Sequence, residues 1–101
     1  MAYKIIVKKK FTAKLIKLLF YPEAEWGKTV ANRFENKVER RLDNLSKHPF
    51  IGAESAYFKN VKSILITKHN RLYYRIKETT IEVINMYDTR MNPKKNPYKK
   101  K

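Results

Sequence analysis

The sequence predicts an α+β fold: an N-terminal strand, two helices, then a three-strand antiparallel meander, with the helices packed on one face of a small curved sheet. Three observations lead there. Large apolar residues recur every third or fourth position from Trp26 to Leu45, three runs rich in β-branched and aromatic residues follow Asn60, and the links between those runs are too short for parallel crossovers.

The elements follow in chain order. Tyr3 to Lys8 alternates Tyr3, Ile5 and Val7 with Lys4, Ile6 and Lys8, the period of a half-buried strand. A helix is expected next, with Thr12 as its N-cap, Phe11 stapled onto Ile16, and Leu15, Leu18 and Leu19 continuing the apolar face until Pro22 interrupts it. In the second helix Trp26, Val30, Phe34, Val38, Leu42 and Leu45 form one stripe, read as core rather than as a groove for a partner helix. Lys47, His48 and Pro49 give that helix a cationic last turn and a stop. Residues 49–60, "PFIGAESAYFKN", have no usable period and read as a loop. Strands are expected over Val61 to Thr67, Arg71 to Lys77 and Thr80 to Tyr87, separated by "KHN" and "ETT". Alternation then turns Leu72, Tyr74 and Ile76 toward the helices and Arg71, Tyr73, Arg75 and Lys77 toward solvent.

Composition narrows the chemistry. The chain of 101 residues reads as one domain over residues 1–90, followed by a basic tail, 91–101, expected to be mobile. Cysteine is absent, so disulfides and thiolate sites are out. His48 and His69 stand apart in separate loops and only two Asp are present, so no metal-ligand spacing exists; with two glycines there is no phosphate loop, and no metal or cofactor is expected. Neither a secretory signal nor a membrane-length apolar run is visible, which places the expected protein in the cytoplasm, away from membranes.

Charge is the dominant feature. There are 24 Lys and Arg against 9 Asp and Glu, a net +15. The excess is local: residues 1–22 hold six Lys and no acid, residues 23–46 balance five against five, and residues 61–77 carry five bases and no acid. Such asymmetry points to nucleic acid or an acidic protein as partner. RNA can be cut without a metal, because its own 2′-hydroxyl attacks the phosphate while the protein orients the attack and stabilises the charge. Arg71, Arg75, Arg90, Lys62, Tyr73 and Tyr87 are the right residue types for that work. Lys59 and Lys68, with Lys94 and Lys95 in the tail, are further candidate nucleic-acid contacts. Tyr87 is either a proton-transfer partner beside Asp88 or a packing residue at the strand end, and Arg75 can instead pair with Glu78 or Glu82.

The chain also resembles the RelE/ParE superfamily of toxins from bacterial type II toxin–antitoxin systems. The likeness is carried by "EWGKTVANRFENKVERRLDNLSKHPFIG" for the long helix and its Pro-x-x-Gly loop, "NRLYYRI" for the central strand, and "INMYDTRMNPKK" for the last strand and exit. It implies a toxin neutralised by a cognate antitoxin with an acidic or amphipathic segment. RelE-like members cleave mRNA on the ribosome, whereas ParE-like members poison DNA gyrase and lack the catalytic set. Arg71 falls where the ribosome-dependent nucleases carry a phosphate-contacting arginine, Arg90 falls near another, and Lys62 matches a strand lysine. The expectation is therefore a ribosome-dependent mRNA endonuclease with Arg71, Arg90, Lys62 and Tyr87 as catalytic residues; the alternatives are a gyrase inhibitor or a degenerate, non-toxic member. Ile64 stands where a second family lysine belongs, and Tyr98 in the tail is a candidate stand-in for a family tyrosine.

Overall fold

In the computed structural model the chain forms β1 (Lys4–Val7), α1 (Lys9–Phe20), α2 (Glu23–Lys47), β2 (Ala53–Glu54), β3 (Val61–Thr67), β4 (Asn70–Lys77) and β5 (Thr80–Asp88). The structure describes residues 2–20, 23–55 and 58–90, with side chains left out for 18–20 and 23–31. The expected roles of Leu18, Leu19, Pro22, Trp26 and Val30, and the tail residues Lys94, Lys95 and Tyr98, lie outside the described residues. None of the described helices is long and apolar enough to cross a membrane.

The five strands form one sheet in the order β1-β5-β4-β3-β2. The meander β3-β4-β5 is antiparallel as expected, and β1 joins it in parallel alongside β5, with Lys4 opposite Thr80 and Val7 opposite Val83. Both helices lie on one face. Phe11, Phe34, Val38 and Leu45 pack there against Ile64, Ile66, Leu72, Tyr74, Ile81, Val83 and Met86, with Leu15 and Leu42 at the margin. The four-residue periodicity of α2 and the two-residue alternation of β4 therefore meet in one core. Where β1 stops at Val7, the outer edge of β5 is covered by α1. Lys14 Nζ donates to the Met86 carbonyl at 2.9 Å, satisfying an edge acceptor that a longer β1 would have paired.

Three local expectations are corrected. Helix α1 begins at Lys9, not after Thr12, whose N–H already donates to the Lys8 carbonyl at 3.1 Å within the first turn. Phe11 is buried in the core and Ile16 is 51% exposed, so no staple joins them. The cause is the core itself: a buried Phe11 must sit on the inner face of the helix rather than before it. The segment 49–60 also contains strand β2, in which Ala53 pairs with Ser63 and Glu54 with Lys62.

That segment is fixed by one phenol. Tyr74, at the centre of the sheet and fully buried, donates from its hydroxyl to the Pro49 carbonyl at 2.8 Å and accepts from the Gly52 N–H at 3.0 Å. Burial raises the pKa of this phenol above its ordinary value, which keeps the donor proton in place. Gly52 permits the approach. A Cβ there would lie 2.4 Å from the Tyr74 hydroxyl and 2.9 Å from the Ser63 carbonyl.

Two substitutions test this tie. Tyr74→Phe leaves a part-buried N–H and a buried carbonyl without partners, and is expected to cost about 1–3 kcal/mol in urea unfolding. Gly52→Ala is expected to cost a similar ~1–3 kcal/mol through overpacking against backbone; stability equal to wild type in both variants would remove the Tyr74 tie as a structural determinant.

Candidate functional site

The sheet face turned away from the helices carries most of the chain's interior polar chemistry. Register defines it: Arg71 lies opposite Leu65 and Tyr87, Tyr73 opposite Ser63 and Asn85, and Arg75 opposite Val61 and Glu82. A register shift between Tyr73 and Tyr74 gives β5 one extra residue, Ile84, so both strands keep their apolar residues on the helix side on either side of the bulge.

Around Tyr73 the side chains close over one another. The Arg71 guanidinium donates from Nη1 to Ser63 Oγ at 2.9 Å, which draws it across the face, while its Nε is buried with no hydrogen-bond partner among the described residues. The rings of Tyr73 and Tyr87 meet edge to face at 6.1 Å, and Asn85 Nδ2 donates to the Tyr87 hydroxyl at 3.4 Å. Tyr73 is consequently 2% exposed, a correction to its expected place in solvent. Alternation assigned its face correctly, but long neighbours cover it.

From the flank, the Lys14 ammonium sits 3.3 Å from the centroid of the Tyr87 ring. Burial, and then the neighbouring Lys10 charge, lower the pKa of Lys14; burial raises that of Tyr87. Tyr87 thus holds its proton more firmly than a free phenol, a poor property in a general base.

At the other end of the same face Glu82 accepts a hydrogen bond from Arg75 Nε and lies 3.3 Å from Lys8 Nζ. The Arg75 hydrogen bond is the main cause that holds the Glu82 carboxyl below its ordinary value, with Lys8 adding to it. Arg75 is therefore a structural ion-pair donor. Its charge is matched.

The expected cations divide. Arg71, Tyr73 and Tyr87 share the helix-free face, and Lys68 and Arg90 stand at the same end of the sheet, where Thr89 ties β5 to the β3–β4 turn through the Lys68 and His69 carbonyls. Arg90 is exposed, and its guanidinium donates to Asp88 at 2.8 and 3.1 Å, which lowers the Asp88 pKa. Lys62 leaves the opposite, helix-side face, since it shares strand parity with the core residues Ile64 and Ile66; it lies 3.5 Å from Glu54 and its side chain is 17% exposed. Lys59 accompanies it. Both line a groove of about 530 Å³ with Phe50, Phe58, Val61 and Ile76.

Two features went unread in the sequence. Phe50 and Ile51 point outward between the two anchor points of the Tyr74 tie, 67% and 51% exposed. In addition, the charges of α2 are segregated: Glu35, Glu39 and Asp43 repeat every four residues along one flank, while Lys37, Arg40, Arg41 and Asn44 occupy the other and line a groove of about 420 Å³ beside Ile66 of β3. A helical projection of the sequence exposes that segregation; residue counts by segment, which balance over 23–46, conceal it.

The comparisons with known proteins bear on this arrangement. Residues 5–93 match the profile of a family described as the ParE toxin of the type II toxin–antitoxin system parDE. Among solved structures, the chain is similar to one from the chromosomal ParDE system of P. aeruginosa, with a TM-score of 0.72 at 12% identity over 86% of this chain and 96% of that one. It is also similar to one from the RelBE2 toxin–antitoxin complex of Mycobacterium tuberculosis, with a TM-score of 0.59 at 20% identity over 87% and 99% of the two chains. The YoeB/ParE toxin of Agrobacterium tumefaciens gives 0.61 at 18% identity over 84% and 96%. No curated protein sequence matches significantly.

Two measurements follow from the site. Because the Glu82 pKa is lowered on folding, its stabilisation is fully present above the ordinary value of 4.5 and is lost as pH falls through the lower folded value. Glu82→Gln should therefore lower stability at neutral pH and flatten the acid limb of the stability–pH curve; an unchanged acid limb would mean that other carboxylates carry it. Lys14→Met should cost about 1–2 kcal/mol by removing the cation from the Tyr87 ring and the donor from the Met86 carbonyl, read as a lowered urea midpoint.

Proposed function

This chain belongs to the ParE toxin family of type II toxin–antitoxin systems, and from that premise we propose that it arrests growth by binding and inhibiting DNA gyrase rather than by cutting mRNA on the ribosome. The observation that carries the choice is the separation of Lys62 from Arg71. Transesterification needs cations converging on one phosphodiester, and these two leave opposite faces of the sheet. Three further features support binding over cleavage: Arg75 is paired with Glu82, Arg90 with Asp88, and the Tyr87 phenol holds its proton. The family profile also carries the ParE description.

The antitoxin's part follows from charge. A cognate antitoxin with an acidic segment would be steered onto a chain of net +15, and its association rate should fall with salt. Phe50 and Ile51, held outward between the two hydrogen bonds of Tyr74, are apolar contacts suited to a protein partner and poorly suited to a phosphate backbone.

Induced expression without antitoxin is expected to produce filamentation and DNA-damage signalling with intact transcripts, and the purified toxin is expected to inhibit gyrase supercoiling in vitro. Transcripts cut within codons, together with unaffected supercoiling, would return the assignment to the nuclease branch. Growth unaffected by expression would identify a non-toxic member.

A further inference from the structure

A second cationic surface lies away from the sheet face, along the flank of α2. Lys37, Arg40, Arg41 and Asn44 follow one another at intervals of three, one and three residues, the spacing that keeps them on one side of a helix. They line the groove of about 420 Å³ whose floor is the buried Ile66 of β3. No acidic residue lines it. Lys37, Arg40 and Arg41 are exposed, and none of them is in an ion pair among the described residues. This is unlike Lys8, Lys47, Lys62, Arg75 and Arg90, each of which faces a carboxylate. The nearby acids Glu35, Glu39 and Asp43 run along the opposite flank, and Asp43 pairs there with Lys47 at 3.3 Å. A surface that served only solubility would intersperse the two signs; this one sorts them.

We propose that this flank of α2 is a binding site for the phosphate backbone of duplex DNA, with Lys37, Arg40 and Arg41 each answering a phosphate and Asn44 donating from its amide. A rise of ~1.5 Å per residue places Lys37 and Arg41 about 6 Å apart along the axis. Successive phosphates of one strand advance about 3.4 Å along the duplex, so these long side chains span two or three of them. Duplex is preferred to single strand because no aromatic ring lines the groove, and single strands are held largely by base stacking. Peptide is disfavoured for a related reason: the groove offers one apolar residue, Ile66, against four polar ones. The choice of DNA over duplex RNA rests on the gyrase reading, since that enzyme holds DNA. The acidic flank then fixes the orientation, because a backbone displaced toward Glu35, Glu39 and Asp43 is repelled.

The test uses the full chain, a fluorescent 20-base-pair DNA duplex and anisotropy, with no gyrase present. The double variant Arg40→Glu/Arg41→Glu is expected to bind at least ~10-fold more weakly near 100 mM salt and to lose about two from the slope of log K against log salt. The control Lys9→Glu/Lys10→Glu makes the same change in net charge on α1 and is expected to stay within about 3-fold of wild type. Arg40→Gln/Arg41→Gln, checked by circular dichroism, covers the case in which the charge reversal unfolds the helix. Equal losses in the α2 and α1 variants would overturn the site and leave net charge as the only cause. So would tighter binding of the single strand, of an RNA duplex of the same sequence, or of polyglutamate at matched charge. Supercoiling inhibition is scored separately, so a toxin that inhibits gyrase but binds DNA equally well in both variants refutes this site alone.

Discussion

The Tyr74 hydroxyl is the contact on which the arrangement of surfaces depends. Apolar contact among the leucines, isoleucines and valines of the core fixes volume more than direction. Tyr74 adds two directed bonds, one to each side of a four-residue turn, and so sets where the chain leaves α2 and enters β2. Pro49 and Gly52 are drawn inward, and the two residues between them have no inward space left. The exposure of Phe50 and Ile51 is thus a consequence of the core. Desolvation of the phenol is offset only while both bonds hold.

The sheet divides the chemistry into two compartments. On the helix side the strands are apolar except at their ends, where Lys62 escapes toward Glu54. On the other side Arg71, Tyr73, Asn85, Tyr87, Glu82 and Arg75 form a continuous polar layer in which most charges are already answered. Such a layer is well ordered but has little freedom to move protons. Lys37, Arg40 and Arg41, which face no carboxylate among the described residues, stand together on α2, on the helix layer. In this chain the Arg75–Glu82 and Arg90–Asp88 pairs lie on the sheet while this cluster of unpaired cations lies on α2, so the two surfaces differ in what they offer a partner.

Much of the architecture was legible in the sequence because it is written in periods. The recurrence of Phe34, Val38, Leu42 and Leu45 marked the buried side of α2, and alternation in "RLYYRI" sorted Arg71 and Arg75 from Leu72 and Tyr74 correctly. Information that resides between elements was not legible. The face of Lys62 depends on strand parity, and a shift of one residue exchanges the faces. The start of α1 depends on where Phe11 finds core, and the burial of Tyr73 depends on the reach of Arg71 to Ser63 and on the ring of Tyr87. Of the candidate pairings for Arg75, the sequence offered Glu78 and Glu82 alike. Cross-strand register decides for Glu82, which lies directly opposite, whereas Glu78 occupies the tight turn with a φ of 58°.

The parallel seam between β1 and β5 joins the first strand of the described chain to the last. The Lys4 N–H donates to the Thr79 carbonyl and the Lys8 N–H to the Val83 carbonyl, so β1 finds its place in the sheet only once β5 has been made. A pairing between segments this far apart in sequence closes more slowly than the β4–β5 hairpin, so the order in which the sheet is completed is written into its topology.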